Sequence, residues 1–444
     1  MAAILVTKSA RGQNPAAASG PSSARHVLVV SVDGMGASWY VAPPANLRIP
    51  NLQRLMAEGS YAEGVEGVYP SVTYPSHTTL VTGRVPGEHG VYSNLSSREA
   101  GKNPNDWFWF AESIKVPTLW DEAQQHGLTS AAVFWPATTG ARITWNIPEI
   151  WDPAKGMAGD PLYVAKFATP GLLFEAAMEL GPPKAGGDDD VTRTRLAAFV
   201  LKKHKPNLLL LHLAALDEAE HGYGPQSAEA ITTLENIDSR LGDLLAAVKE
   251  AGLEDSTDVY IVSDHGFLPV EREVNPNVLL VKAGLLQVDQ SGKITGGKIV
   301  TVATGGAFFI YWPDSQKLRQ EVEAALKPLR DKGVLWSVFS RTALADLGAE
   351  PAIQMALEAP SGVGFDDSAN GEVIVKRAKL GGTHGYLPFR SGLESAFIAR
   401  GPGIKRGVNL HRIRMTAIGP TILRSMGIND PQFGSQPPLT DIFK

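Results

Sequence analysis

The pattern of apolar and polar positions along the chain predicts a buried sheet with helices packed against it. Residues 26–33 form an apolar, β-branched run that ends at Asp33 and is followed by Gly34 and Gly36. Two similar runs, 207–213 and 258–264, lead to Asp217 and Asp264. Short apolar runs bounded by turn residues are typical of strands that are buried on both faces. The sequence therefore predicts at least three strands of a parallel sheet, each leading to an acid.

Helical periodicity is clearest at residues 227–251, where apolar side chains recur every three or four positions. A shorter helix is predicted at 49–58, a strand at 395–400, and a closing helix around 415–426. Strands that alternate with helices favour the α/β class. We therefore expect a central, mostly parallel sheet with helices on both of its faces.

Residues 271–375 follow a looser pattern. They contain a Gly-rich, hairpin-like stretch (292–306), a strand (307–312) and a helix (316–332). We interpret this region as a smaller inserted α+β subdomain. It would divide the main α/β domain into a first part, 26–270, and a completing part, 376–444.

Composition narrows the possible functions. The chain has 444 residues, of which 43% are hydrophobic and 20% charged, which is ordinary for a globular protein. The net charge is -5, and the sequence contains no run of basic residues. This argues against a dedicated nucleic-acid surface and leaves small charged substrates possible. Because there is no cysteine, thiolate chemistry is excluded and any metal must be held by nitrogen and oxygen atoms.

Residues 1–25 differ from the rest of the chain. An apolar start, two basic residues and an Ala/Ser/Pro/Gly-rich stretch predict a disordered tail or the remnant of an export signal. Periplasmic or secreted and cytoplasmic locations therefore both stay open. No apolar run approaches the roughly 18 residues that a membrane-spanning helix needs.

Several residues of metal-ligand type follow the predicted strands. Asp264 and His265 are adjacent in a tight turn, Asp217 and His221 are four residues apart on one helical face, and His384 lies in a Gly-rich loop. Each of these alone has an ordinary alternative, such as a helix cap or a solvent-exposed face. Because ligands gather at the carboxyl ends of strands in open α/β sheets, we expect the strand-end acids to converge on one site.

Residues 69–84 predict a strand-to-helix turn that presents Thr73 at the N-terminus of a helix. Free N–H groups and the helix dipole favour an anion there. Metal coordination could supply the activation that a threonine hydroxyl lacks by itself. For the other hydroxyl residues of this segment, Ser71, Ser76 and Thr78, helix capping is the simpler interpretation, and His77 is either structural or a partner of the site.

Together these residues resemble the alkaline phosphatase superfamily, and more narrowly the type I phosphodiesterase/nucleotide pyrophosphatase family. The resemblance extends in order from about residue 26 to 405. It rests on Asp33-Gly34, Thr73-Tyr-Pro-Ser-His77, Thr82-Gly83, His89-Gly90, Asp217 with His221-Gly-Tyr-Gly-Pro225, Ser263-Asp-His-Gly266 and Thr383-His-Gly385.

The resemblance implies an alkaline-phosphatase-like fold and two Zn²⁺ ions per chain acting on a small phosphate ester. It places Asp217, His221 and His384 on one ion, and Asp33, Asp264, His265 and the Thr73 oxygen on the other. Thr73 would be the nucleophile of a two-step reaction through a phospho-threonine intermediate. Asn94 lies where the family uses an asparagine to hold a phosphoryl oxygen.

The sequence departs from the family pattern at two positions near the substrate. The family's usual Thr-Phe-Pro-Asn-His is Thr73-Tyr-Pro-Ser-His77 here, which keeps an aromatic ring at Tyr74 for stacking. Where the family often has a tyrosine against the nucleobase, five residues before Asp217, this chain has His212. Tyr74 and His212 are thus candidate substrate-binding residues, and a nucleotide preference does not follow.

Alternative functions remain for the same ligands. The segment around Thr73 also resembles the sulfatase signature. Sulfatases, however, need a cysteine or serine that is converted to formylglycine, and Thr73 cannot supply it. A phosphonoacetate-hydrolase-like activity and a phosphomonoesterase activity both fit the metal set. A non-catalytic binding protein on this scaffold is the alternative from another class, and it is disfavoured because no ligand position is missing.

Overall fold

The structure is a computed structural model, and it describes residues 25–96, 107–155, 160–181 and 190–444. The tail predicted at residues 1–25 lies outside these ranges except for Arg25. Among the described residues, no helix is both long and apolar enough to cross a membrane.

The strands, in chain order, are β1 His26–Val32, β2 Ser60–Tyr61, β3 Gly64–Glu66, β4 Ser130–Val133, β5 Trp145–Ile147, β6 Leu208–Leu213, β7 Thr257–Val262, β8 Leu268–Val274, β9 Leu286–Val288, β10 Ile294–Gly297, β11 Val300–Ala303, β12 Ala307–Tyr311, β13 Ser337–Ser340, β14 Met355–Glu358, β15 Gly362–Phe365, β16 Ile374–Thr383, β17 Phe397–Arg400, β18 Val408–Asn409 and β19 Arg412–Arg414.

The helices are α1 Ser38–Val41, α2 Pro50–Glu58, α3 Thr73–Thr82, α4 Pro86–His89, α5 Leu119–Gln125, α6 Pro161–Ala165, α7 Leu172–Leu180, α8 Asp190–His204, α9 Ala215–Tyr223, α10 Ala228–Glu250, α11 Pro276–Lys282, α12 Gln316–Asp331, α13 Arg341–Asp346 and α14 Ile418–Ser425.

Eight strands form the central sheet, in the order β18-β2-β17-β7-β1-β6-β4-β5. The inner strands β7, β1, β6 and β4 run parallel, whereas β17 is antiparallel to both of its neighbours. The side chains of β1 alternate between two hydrophobic cores, with Leu28 and Val30 on one face and Val27 and Val29 on the other. Helices α8 and α10 cover the first face, and α3, α5 and α14 cover the second. The predicted fold class is therefore confirmed.

The region 271–375 forms its own sheets. Strands β11, β12, β14 and β13 make a four-stranded antiparallel sheet, and α12 packs into the same core as β12. The strand and helix predicted at 307–312 and 316–332 are confirmed, but the hairpin predicted at 292–306 is wrong. β10 instead pairs with β9, which precedes it, and β11 pairs with β12. The glycines marked the turns correctly without specifying which strands pair.

Strands β8 and β16 connect this region to the central sheet. They pair with each other antiparallel. β8 begins three residues after His265, and β16 ends one residue before His384. The two connections thus bring histidines from the two ends of the insertion to the same place.

Candidate metal centre and active site

The carboxyl ends of β1 and β7 bring two acids and a histidine together. Asp33 directly follows β1, and Asp264 and His265 follow β7, the parallel neighbour of β1. The Nε2 atom of His265 lies 3.4 Å from Asp33 Oδ1 and 3.1 Å from Asp264 Oδ2. All three side chains are buried. This convergence is the one expected for strand-end acids in an α/β sheet.

The turn after Asp33 depends on Gly34. Its φ of +77° lies in the left-handed region that favours glycine, and a Cβ there would approach the Phe267 ring to 2.7 Å. The N–H of Gly34 donates to Asp264 Oδ1 over 3.1 Å. The same oxygen accepts from the N–H of His265, so the other oxygen of Asp264 is left to face the cluster.

A second group forms around Asp217. Asp217 and His221 project from α9, and His384 follows β16. Asp217 Oδ1 lies 3.5 Å from His221 Nε2 and 3.6 Å from His384 Nε2. The predicted spacing of Asp217 and His221 on one helical face therefore brings their ligand atoms close together.

Backbone carbonyl groups orient two of the histidine rings. The Nδ1 atom of His221 is 3.1 Å from the carbonyl oxygen of Gly382, and that of His384 is 3.1 Å from the carbonyl oxygen of Ser71. A carbonyl oxygen only accepts, so each Nδ1 donates and each Nε2 keeps its lone pair. Metal-binding histidines characteristically have such a partner on the nitrogen that faces away from the ion.

The two groups share a histidine. Ligand atoms of Asp33, Asp264 and His265 lie within 4.8 Å of one another, and so do those of Asp217, His265 and His384. The rings of His265 and His384 stack at 3.7 Å. The first group is the set that the family resemblance implies for one ion. In the second, His265 and not His221 completes the triad within this distance, although the Nε2 of His221 is 3.5 Å from Asp217 Oδ1.

The hydrogen-bond pattern fits a bound cation. Four atoms at the centre have no hydrogen-bond partner among the described residues: Asp33 Oδ1, Asp217 Oδ1, Asp264 Oδ2 and His265 Nε2. Buried polar atoms are normally satisfied, so a group of them facing one another indicates a missing partner. An oxygen and nitrogen donor set suits a divalent cation such as zinc.

The electrostatics of the cluster point the same way. Burial, together with neighbouring carboxylates, raises the pKa values of Asp33 and Asp264 well above their usual range. Burial and adjacent imidazoles hold the pKa values of His265 and His384 well below theirs. The protein thus keeps neutral imidazoles beside crowded carboxylates, and a cation would relieve the carboxylate repulsion.

Thr73 is the first residue of α3, as predicted, and is buried. Its carbonyl oxygen accepts from Nδ1 of His77 at 2.8 Å, and that Nδ1 atom is 3.7 Å from Asp264 Oδ2. Ser71, two residues earlier, contacts His384 through its carbonyl oxygen. The segment carrying Thr73 is thus linked to both ligand groups.

The N-terminus of α3 offers fewer free N–H groups than expected. The N–H of Tyr74 donates to Asn94 Oδ1 at 2.9 Å, Pro75 has no N–H, and the N–H of Ser76 donates to the carbonyl oxygen of Val72. The side-chain oxygen of Asn94 is therefore bonded to the first turn of α3. Asn94 is partly exposed, and its amide nitrogen makes no hydrogen bond to the residues that the structure describes.

The sequence and the fold both match known proteins. The sequence model of the family described as "Type I phosphodiesterase / nucleotide pyrophosphatase" matches residues 27–387. The chain belongs to this family.

Relatives support the same assignment within the type I phosphodiesterase/nucleotide pyrophosphatase family. Human ectonucleotide pyrophosphatase/phosphodiesterase family member 1 is 26% identical over 249 residues, which are 54% of this chain and 23% of that protein. Venom phosphodiesterase 2 of Crotalus adamanteus is 28% identical over 252 residues, 54% of this chain and 26% of that protein. The match spans about a quarter of the length of these relatives.

Solved structures show the fold. Human ectonucleotide pyrophosphatase/phosphodiesterase 5 superposes with a TM-score of 0.67 at 19% identity, covering 95% of this chain and 100% of that chain. Its murine counterpart, in an inactive threonine-to-alanine form in complex with AMP, gives a TM-score of 0.66 at 18% identity and the same coverage.

Two residues proposed from the family pattern to contact substrate are buried. Tyr74 is fully buried, its ring lies against Trp107, and its hydroxyl donates to Glu149 Oε1 at 3.1 Å. His212 is 1% exposed and lies between Asp33 and Glu149. Neither ring presents a face to solvent, so this structure gives no support to a nucleobase stacking on them.

Three further polar residues are buried near the centre. Glu149 and Arg193 lie behind His212, and Glu220 is 1% exposed with Oε1 accepting from the indole of Trp39. A signal existed for Glu149, an isolated acid between apolar residues at 147–151. Arg193 lies in a helix of mixed polarity and carries no such signal.

Proposed function

We propose that this chain is a two-zinc phosphodiesterase that hydrolyses phosphate esters through a covalent intermediate on Thr73. One observation carries the proposal: the segment that begins α3 is linked, through His77 and the Ser71 carbonyl, to two groups of metal-ligand side chains whose facing atoms lack hydrogen-bond partners among the described residues. Such a constellation combines a hydroxyl nucleophile with ligands for its activation.

The ligands divide between two ions. Asp217, His221 and His384 would hold one zinc, and Asp33, Asp264 and His265 would hold the other together with the Thr73 hydroxyl. The shared proximity of His265 to both groups supports two closely spaced ions rather than two separate sites. The bound ions would lower the pKa of a coordinated hydroxyl and neutralise charge on the reacting phosphoryl group.

The reaction has two steps, in which first the Thr73 oxygen and then water attacks phosphorus. The Thr73 oxygen forms a bond to phosphorus while the bond from phosphorus to the leaving alcohol breaks. Water then cleaves the bond between Thr73 and phosphorus, releasing the phosphorylated product and restoring the hydroxyl. Because Thr73 begins a ten-residue helix, the positive end of the dipole favours the anionic group at this point.

Asn94 would stabilise the charge that develops during transfer. Its side-chain oxygen accepts from the N–H of Tyr74, the residue after Thr73, so its amide nitrogen would be free to donate to a phosphoryl oxygen. A positioned donor of this kind acts on the developing charge without reorganisation.

A diester or nucleotide substrate fits best with the relatives. Their names describe phosphodiesterases and nucleotide pyrophosphatases, and the murine structural neighbour holds AMP in a form inactivated at a threonine. The burial of Tyr74 and His212 means that any nucleobase must be recognised elsewhere in this chain.

A comparison of substrates tests the proposal. We expect kcat/KM of the zinc-loaded protein to be higher for bis(p-nitrophenyl) phosphate than for p-nitrophenyl phosphate or phosphonoacetate, and Thr73→Ala to abolish turnover. Thr82→Ala, in the same helix with its hydroxyl bonded to the Thr78 carbonyl, is the matched control. A preference for the monoester or the phosphonate would show that phosphodiesters are not the preferred substrates. Turnover that survives Thr73→Ala would overturn the mechanism.

A further inference from the structure

A buried chain of polar side chains lies behind the candidate ligand Asp33. The Nε2 atom of His212 is 3.0 Å from Asp33 Oδ2, and its Nδ1 atom is 2.9 Å from Glu149 Oε2. None of the three residues is more than 6% exposed. Each ring nitrogen of His212 is thus within hydrogen-bonding distance of a carboxyl oxygen, so the ring is held between two acids.

The end of this series of polar side chains that lies farther from Asp33 is also held in place. Arg193 Nη1 is 3.3 Å from Glu149 Oε2 and donates to the carbonyl oxygen of His212 at 3.0 Å. Burial alone would raise the pKa of Glu149, but His212 and Arg193 hold it below its usual value. Glu149 is thus kept as a carboxylate that can orient the imidazole of His212.

The two oxygens of Asp33 face in different directions. Oδ2 accepts from His212, whereas Oδ1 has no hydrogen-bond partner among the described residues and lies 3.4 Å from His265 Nε2. The hydrogen bond from His212 therefore sets which oxygen of Asp33 is presented to the ligand cluster. Partners of metal ligands typically orient them in this way.

The same series of polar side chains also contacts α3, the helix that begins with Thr73. The other oxygen of Glu149, Oε1, accepts from the hydroxyl of Tyr74, the residue that follows Thr73. Glu149 is consequently bonded both to the ring that orients Asp33 and to the first turn of α3. One buried carboxylate links the position of a metal ligand to that of the proposed nucleophile.

We propose that His212 is a positioning residue, which Glu149 and Arg193 hold in place and which fixes Asp33 for metal binding. The proposal rests on the proposed function, since it needs Asp33 to be a metal ligand. It also assigns a role to His212, where the family often has a tyrosine: the residue supports the metal centre from behind and does not touch the substrate.

Zinc affinity tests this proposal without relying on turnover. Purified protein would be stripped of metal and titrated with Zn²⁺ against a chromophoric chelator. We expect His212→Ala to weaken binding of one zinc by about 10- to 100-fold, and Glu149→Gln, which keeps shape and volume, to weaken it by a smaller factor. Because Glu149 acts through His212, the double variant should bind no more weakly than His212→Ala alone.

His89→Gln is the matched control. His89 is equally buried and hydrogen-bonded to Thr79, but it lies outside the ligand cluster. It should leave zinc affinity unchanged even if it lowers thermal stability. His212→Gln, which retains a donor, should recover part of the affinity lost in His212→Ala.

The outcomes separate the two proposals. Wild-type protein that binds zinc and hydrolyses the diester, with both His212→Ala and Glu149→Gln binding zinc within about twofold of it, would overturn the positioning role alone. If the losses of zinc affinity caused by His212→Ala and Glu149→Gln simply added in the double variant, the positioning role would also be overturned, because the two residues would then act independently. Wild-type protein that neither binds zinc nor hydrolyses phosphate esters would overturn the proposed function together with it.

Discussion

Asp264 Oδ2 lies 3.1 Å from the Nε2 atom of His265, the next residue in the chain, and neither atom has a hydrogen-bond partner among the described residues. The other carboxylate oxygen of Asp264 already accepts from two backbone N–H groups. The turn after β7 therefore holds one oxygen and one nitrogen ready for a ligand at the same point.

Asp264→Asn should remove one equivalent of bound zinc, because it preserves the size of the side chain while removing the charge that binds the ion. Metal content after dialysis, measured by elemental analysis, checks this. Asp258→Asn is the matched control, since Asp258 is equally buried but lies on the opposite end of β7. Wild-type metal content in Asp264→Asn would exclude Asp264 as a ligand.

Removal of metal should lower both activity and thermal stability. The crowded carboxylates of Asp33, Asp217 and Asp264 repel one another without a cation. A ligand at about a thousand times its dissociation constant stabilises the folded state by about 4 kcal/mol. Zinc added back to chelator-treated protein should therefore raise the melting temperature by several degrees and restore hydrolysis. Unchanged melting with and without zinc would contradict a metal centre.

Asn94→Asp should reduce kcat by about 10²- to 10³-fold with a smaller change in KM, because the aspartate keeps the oxygen that accepts from Tyr74 but loses the donating amide. Steady-state kinetics on a diester measure this. Asn94→Ala should lose stability as well, since it also removes the bond to Tyr74. If Asn94→Asp turned over at the wild-type rate, Asn94 would have no role in charge stabilisation.

Glu358, which lies outside the ligand cluster, should make the stability of the protein depend on pH. Burial raises its pKa from 4.5 to about 7, despite hydrogen bonds from the N–H of Leu387 and from Arg390. The folded state then keeps a proton that the unfolded chain releases between these two values. The stabilisation is complete below about pH 4.5 and is lost as the pH rises through about 7, a change of about 3 kcal/mol.

Glu358→Gln should abolish this decline, since glutamine does not titrate. Urea unfolding at about pH 5 and about pH 8 compares the two proteins, and the variant should gain relative stability at the higher pH. Parallel pH profiles would show that Glu358 is ionised in the folded protein throughout.

The sequence predicted the parts of the site that are local in the chain. Asp33 and Asp264 follow apolar strands, and Asp217 and His221 are one helical turn apart, so each position could be interpreted from its neighbours. That β1 and β7 would be adjacent did not follow from either strand alone; the family resemblance implied only that Asp33 and Asp264 would hold the same ion.

Burial imposed by distant elements could not be predicted. Glu220 lies between two candidate ligands on α9, and its hydrogen bond from the indole of Trp39 joins segments far apart in the chain. His212 looked like a substrate residue because its backbone position matches one, yet Glu149 and Arg193 from two other segments enclose its ring. Such contacts depend on how the segments between sheet strands pack, which a periodic pattern does not encode.

The phospho-threonine intermediate on Thr73 can be detected by mass spectrometry of protein quenched with acid during turnover of a phosphodiester. We expect a covalent adduct that carries the transferred phosphoryl group and that peptide fragmentation maps to Thr73. It should be absent from Thr73→Ala and from chelator-treated protein. An adduct on another residue, or full turnover by Thr73→Ala, would contradict it.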